Sequence, residues 1–292
     1  MKRRNFIKTI SVLPLSHFGM ISLSELGQLA DKFENTLPMP VFFFGHGSPM
    51  NAIEDNEFTL GWKNAIKRVP KPQAVLCISA HWETRGVQIT AMDKPATIHD
   101  FGGFPQALFD VQYPAPGSKE MALLTQSVLT STEVVLDQSW GLDHGCWSVL
   151  KKIYPAADVP VMQMSLNVNQ NPEWHYQLGK ELMALRKKGI LIVGSGNIVH
   201  NLGRLNWQQP NVAFDWATEA NTGLKQMILD QKFERLAMYK SMGSAYQMAI
   251  PTAEHYLPLL YVMSLKGKDE SIQVFNDKIV MGSIAMTSFK IS

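Results

Sequence analysis

Six short apolar runs with little polar alternation limit what this 292-residue chain can fold into. They span residues 40–44, 74–79, 87–91, 159–166, 190–193 and the closing 279–291 region, and are rich in Val, Ile, Phe and Met. A strand with one face in water alternates polar and apolar side chains, whereas a strand covered on both faces need not. Helical patterns lie between the runs, at 58–69, 119–129, 174–187, 216–229 and 255–265. Strands alternating with helices predict an α/β fold, with a mixed, mainly parallel central sheet flanked by helices and the last strands as an antiparallel edge. No low-complexity linker, charge block or repeat follows Leu37, so residues 37–292 are expected to form a single domain.

The first 34 residues read differently. MKRRNFIKTISVLPLSHFGMISL opens with basic residues and continues into a weakly apolar stretch that is too short and too polar to span a bilayer. Arg3-Arg4-Asn5-Phe6-Ile7-Lys8 resembles the bacterial twin-arginine export signal. Residues 1–34 are therefore expected to be a leader that directs the chain to the bacterial periplasm. An ordinary basic extension on a cytoplasmic protein is the alternative. The formal charge of +2 also traces to residues 1–30: Lys2, Arg3, Arg4 and Lys8 against Glu25 leave the remainder at −1, with 23 basic and 24 acidic residues. A body that close to neutral gives no electrostatic reason to expect nucleic acid as a partner. Two cysteines, Cys77 and Cys146, are too few for a disulfide framework or a thiolate zinc site, so any metal would take N and O ligands.

Four histidines stand where such a metal site would want them. His46 follows the first strand in VFFFGHGSP, and His81 follows the second in AVLCISAHW. His200 closes ILIVGSGNIVH, and His255 opens a helical pattern in AEHYLPLL. In a parallel sheet, sites form beyond the carboxyl ends of the strands, which is where His46, His81 and the 194–200 loop are expected to lie. One histidine after a buried strand is usually a hydrogen-bonded core residue, but several delivered to the same edge favour a metal site. The Gly194-Ser195-Gly196 turn could cradle a phosphate or simply aim His200; without the Lys-Ser/Thr of a P-loop the first reading is weak. Thr252 is expected to cap the helix that carries His255. Glu254 and His255 would then point in different directions on that helix, and Glu254 stays open as an alternative ligand.

Three further stretches carry candidate chemistry. Asp143-His144-Gly145-Cys146-Trp147 reads as a histidine-bearing turn; a Cys146 nucleophile paired with His144 is disfavoured because residues two apart do not face each other on a helix. His144 is better read as an acid/base or substrate-binding group. The 97–105 loop, with His99, Asp100, Phe101 and Phe104, is of a kind that closes over a planar ligand, or else it is a surface turn with His99 and Asp100 solvated. Trp82, Phe101, Phe104 and Trp147 would suit a planar ring. His175, inside a helical pattern, is expected to be structural.

GHGSPMN, SAHW, TIHDFGGFP, YPAPGS, DHGCW, GSGNIVHN and PTAEHYLPLLY, in this order, resemble the class III extradiol ring-cleaving dioxygenases, specifically their bacterial and plant DOPA dioxygenase branch. The resemblance runs from Pro40 to Ile291. It implies one divalent metal ion per chain, Fe(II) for turnover or Zn(II) as bound in relatives, held by His46, His81 and His255. His200 would lie near the metal as catalytic base and as a fourth ligand in resting zinc forms, and His144 would be a second catalytic histidine that contacts substrate. Many class III relatives use two histidines and a glutamate, whereas here the third position falls on His255. The implied activity is 4,5-extradiol cleavage of DOPA or a related catechol, inserting both atoms of O2. Substrate and O2 would be the small-molecule partners; no membrane span is expected, and the resemblance does not fix an oligomer. A zinc-dependent hydrolase or a non-redox metal-binding homologue on the same fold is the competing reading. It predicts no oxygen consumption.

Overall fold

A computed structural model describes residues 35–292 of the chain. Eight strands form one sheet in the order β4-β3-β5-β2-β6-β1-β10-β7. These are β1 (Val41–Gly45), β2 (Ala74–Thr84), β3 (Val87–Thr90), β4 (Val134–Asp137), β5 (Val161–Asn167), β6 (Ile190–Gly196), β7 (Ile272–Phe275) and β10 (Ser288–Ile291). The short β8 (Ile279–Val280) and β9 (Ile284–Ala285) pair separately. β5, β2, β6 and β1 run parallel through the centre. The sequence expectation of a mainly parallel sheet with an antiparallel edge is met: β10 is antiparallel to β1, and β7 to β10.

Helices cover both faces. Those of eight residues or more are α1 (Glu57–Ile66), α2 (Lys119–Val128), α3 (His144–Ile153), α4 (Pro172–Glu181), α5 (Asp215–Leu229) and α6 (Leu257–Ser264). The absence of alternation in the strands now has its cause. Val41, Phe43, Leu76 and Ile78 join a core with α2, α4, α5 and α6, while Phe42, Phe44, Val75 and Cys77 join a second core with α1 and α3. Each large apolar side chain buried in this way contributes about 1.5–3 kcal/mol. Among the described residues no helix is long and apolar enough to cross a membrane. The expected leader, 1–34, lies outside the described residues.

Four local expectations are corrected. The second strand does not stop before His81 but continues to Thr84, with a register irregularity between Ile78 and Glu83 against β5. Gly194-Ser195-Gly196 is the end of β6, paired with Phe43, Phe44 and Gly45, and not a turn. Residues 144–153, taken for a turn at their start, form α3, with the Asp143 side chain accepting from the Cys146 N–H as cap. The helix around His255 begins only at Leu257, without a side-chain cap. Pro258 explains the last case, since a residue with no N–H fits the first turn of a helix but not its interior. Thr252 Oγ1 donates to Glu254 Oε1 instead.

Candidate metal centre

Three histidines converge at the carboxyl edge of β1, β2 and β6. His46 directly follows β1; its N–H donates to Gly196 O at 3.1 Å, and its C=O accepts from Asn51 Nδ2 at 2.9 Å. Gly47 turns the chain away with φ +60°, a conformation that favours glycine. His81 projects from the irregular stretch of β2. His255 sits in the turn before α6, pressed so closely on β6 that a Cβ at Gly196 would lie 2.1 Å from His255 O. Glycine is needed there to let the two backbones meet. The rings of His46, His81 and His255 stand 4.9–5.3 Å apart by centroid, and one ligand atom of each lies within 4.8 Å of the others.

Hydrogen bonds fix which nitrogen the His46 and His255 rings offer. Ser195 Oγ donates its single proton to Gly145 O at 2.6 Å, so toward His46 Nδ1, 3.0 Å away, it acts as acceptor. His46 therefore carries its proton on Nδ1 and keeps a lone pair on Nε2. Glu254 Oε1 accepts from His255 Nδ1 at 3.1 Å, and Asp100 Oδ2 lies 3.4 Å from His81 Nδ1. His46 and His255 thus hold Nδ1–H against an oxygen and leave Nε2 free, the pattern that orients metal-binding histidines, while the Asp100 carboxylate stands on the Nδ1 side of His81. The Nε2 atoms of His46 and His81 face each other at 3.2 Å. Two metal–nitrogen bonds of about 2.1 Å, set 90–110° apart, would separate their nitrogens by about 3.0–3.4 Å. The donor set fits a divalent cation.

Burial keeps these rings in the ligand form. His46 and His255 are held well below the usual histidine range by burial first and then by neighbouring imidazoles. Burial and His144 push His81 down to about 3 against the opposing pull of Asp100 and Glu254. Neutral imidazole is the form a metal requires.

The other expected residues separate into near and far. His200 stacks on His255 with centroids 3.5 Å apart and planes 10° apart, and it groups with His255 and Glu254 but not with His46 and His81. Burial lowers it to about 4. His144, the first residue of α3, lies 3.8 Å from His81 by ring centroid, and its Nδ1 is 2.9 Å from Asp100 Oδ2. Glu254 is occupied by His255 and Thr252.

Several expected site residues belong elsewhere. His99 stands apart from the five-histidine cluster, its Nε2 on Val111 O and its ring among Phe101, Phe109 and Trp147. Trp82 is buried and stacked on Trp140, and Trp147 is buried with Nε1 donating to Ile98 O, so both are core and not a ring-binding surface. Phe101 and Phe104 keep partial exposure, and Phe101 packs edge-on to His144 at 5.5 Å. Burial and the adjacent Cys77 raise the Cys146 thiol well above its ordinary value, which removes it as a nucleophile. His175 is buried with Nδ1 on the Tyr261 hydroxyl, a structural role as expected. Asp100 and Ser195 are two contributors whose histidine partners sequence reasoning did not identify. Ser195 was visible within the Gly-Ser-Gly motif, whereas nothing local to Asp100 points to a partner 44 residues away.

A family model described as the catalytic LigB subunit of aromatic ring-opening dioxygenase matches residues 38–286. The chain belongs to this dioxygenase family. It is 45% identical over 257 residues to the 4,5-DOPA dioxygenase extradiol of Escherichia coli strain K12, a match covering 87% of this chain and 94% of the relative. It is 35% identical to the enzyme of the same name from Beta vulgaris, with 85% and 95% covered. A crystal structure of an uncharacterized Escherichia coli K12 protein superposes with a TM-score of 0.77 at 40% identity, covering 87% of this chain and all of the other. This LigB-family member is a class III extradiol enzyme of the DOPA dioxygenase type, an oxidoreductase that opens aromatic rings. The resemblance read from seven short motifs was sound for family, fold and reaction class.

Proposed function

We propose that this dioxygenase cleaves DOPA, or a catechol closely related to it, at the 4,5-extradiol position, using Fe(II) held by His46, His81 and His255. The observation that carries the metal assignment is the convergence of the three rings, with Nδ1 of His46 and His255 hydrogen-bonded and the Nε2 atoms of His46 and His81 facing each other at 3.2 Å. Relatives bearing the DOPA dioxygenase name support the substrate class. A bound ferrous ion would supply electron transfer between catechol and O2, which zinc does not.

The chain's own residues manage protons and position. His200 is the proposed base and a fourth ligand in resting zinc forms. Its side chain makes no hydrogen bond to another described residue, and burial keeps it neutral above a pKa of about 4, so its ring can accept a proton from a catechol hydroxyl. His144 is the second catalytic histidine, anchoring substrate through Nε2 while Asp100 holds Nδ1. Phe101, beside His144 and next to Phe104, offers an apolar edge to an aromatic ring. The overall conversion is balanced: one catechol and one O2 give one ring-opened hydroxymuconic semialdehyde.

Residues 1–34 are proposed to act as a twin-arginine leader to the bacterial periplasm, a reading that Arg3-Arg4 and Lys8 support. Oxygen uptake tests the activity, after anaerobic reconstitution with Fe(II) or Zn(II), across L-DOPA, dopamine and catechol. Iron-dependent uptake with a new yellow product and highest kcat/KM for L-DOPA is the expected result. No uptake at verified iron occupancy would overturn it.

A further inference from the structure

We infer that Asp100 is a positioning residue that sets the tautomer of His144, beside the site histidine His81, and so presents the Nε2 lone pair of His144 to the site. The sequence offered Asp100 within a loop that closes over a ligand or, failing that, as a solvated residue; its side chain is only 18% exposed and both carboxylate oxygens are engaged. Oδ1 accepts from the backbone N–H of His144 at 2.8 Å, one of the free donors in the first turn of α3. Oδ2 accepts from Nδ1 of the same residue at 2.9 Å and lies 3.4 Å from Nδ1 of His81. A carboxylate held by one oxygen to a helix start cannot rotate freely. Its second oxygen is therefore delivered in a fixed direction to both rings.

The loop that carries Asp100 is itself fastened. Ile98 N–H donates to Leu142 O at 2.7 Å, Leu142 N–H to Ala96 O at 2.8 Å, and Trp147 Nε1 to Ile98 O at 2.7 Å. Phe101 then packs edge-on against His144. An ionised carboxylate can only accept, so His144 must carry Nδ1–H and keep its lone pair on Nε2. The carboxylate in contact with Nδ1 thus fixes the ring's orientation, the logic by which a buried aspartate orients a histidine. The same oxygen stands 3.4 Å from Nδ1 of His81, a negative charge on the side of that proposed metal ligand away from Nε2.

The inference deepens the ring-opening reading and rests on it only for kinetics. Long-range proton–nitrogen NMR on the zinc-loaded chain reads the tautomer directly, with the His144 signals assigned by their loss in His144→Gln. The wild-type protein is expected to show Nδ1–H on His144. In Asp100→Asn an amide N–H faces the ring and the tautomer is expected to switch to Nε2–H. Chelator competition is expected to give about tenfold weaker zinc binding, and kcat is expected to fall about 10–100-fold with KM within about threefold. Nε2–H on His144 in the wild-type protein, or an unchanged tautomer in a folded Asp100→Asn, would overturn the inference. The wild-type spectrum decides even where the variant does not fold, and the NMR and zinc results stand apart from any failure of the catechol assay.

Discussion

Replacing Ser195 with alanine should weaken both the fold and the metal site, by amounts that follow from its two hydrogen bonds. The hydroxyl is fully buried, donates to Gly145 O at 2.6 Å and accepts from His46 Nδ1 at 3.0 Å. A methyl group in its place leaves one acceptor and one donor buried without partners. At about 1–3 kcal/mol for each such group, less the cost of burying the hydroxyl itself, the metal-free protein should lose about 2–4 kcal/mol. The metal effect is separate. Without its acceptor the His46 ring is free to exchange tautomers, and loss of an anchoring partner weakens metal binding by about 10–100-fold. At a zinc concentration about 100 times the wild-type Kd, bound metal stabilises the wild-type protein by about 2.7 kcal/mol; a 30-fold weaker site would gain only about 0.9 kcal/mol. Urea unfolding of both proteins, with and without zinc, measures the two terms separately. A variant that unfolds at the wild-type midpoint and binds zinc within twofold of wild type would refute the tautomer argument.

Three further predictions concern individual histidines. His81→Ala should lose bound metal and turnover together, whereas His200→Ala should lose turnover by at least about 100-fold while keeping most of its iron, as read by metal analysis of the purified proteins. Full turnover without His200 would refute its role as base. His175 is buried, and burial pushes it down to about 4, against an ordinary value of 6.5. Between those values the unfolded chain takes up a proton that the folded chain resists, so stability is present above about pH 6.5 and is lost as pH falls toward 4. The loss attributable to His175 between pH 7.5 and 5 is about 2 kcal/mol. In urea titrations at the two pH values, His175→Gln should lose correspondingly less than wild type; an equal loss would contradict the burial argument.

The parallel core of the fold was legible because β1, β2, β5 and β6 are buried on both faces and so read as continuous apolar runs. β4 and β7 were not, being four-residue strands with exposed or partly exposed positions such as Val135 and Gln273. α3 was hidden by His144-Gly145, which reads locally as a turn; the Asp143 cap was the available signal. The histidines of the site were legible because each lies near the end of an apolar strand run or near the start of a helix within one local segment. Their anchors were harder. Ser195 reaches His46 across 149 residues and Asp100 reaches His144 across 44, and pairings of that span are made by sheet order and helix placement, not by any local pattern. Trp82 and Trp147 show the converse: residue type favoured a ring-binding surface, and packing placed both in the core.

The most direct test of the account is a single-turnover reaction of the Fe(II)-loaded enzyme with L-DOPA under isotopically labelled O2, with the product analysed by mass spectrometry. Two labelled oxygen atoms in each ring-opened product molecule, one per new carbonyl and carboxylate group after correction for exchange with water, is the predicted result. Unaltered L-DOPA from a fully iron-loaded enzyme, or a product whose added oxygen comes from water alone, would contradict it.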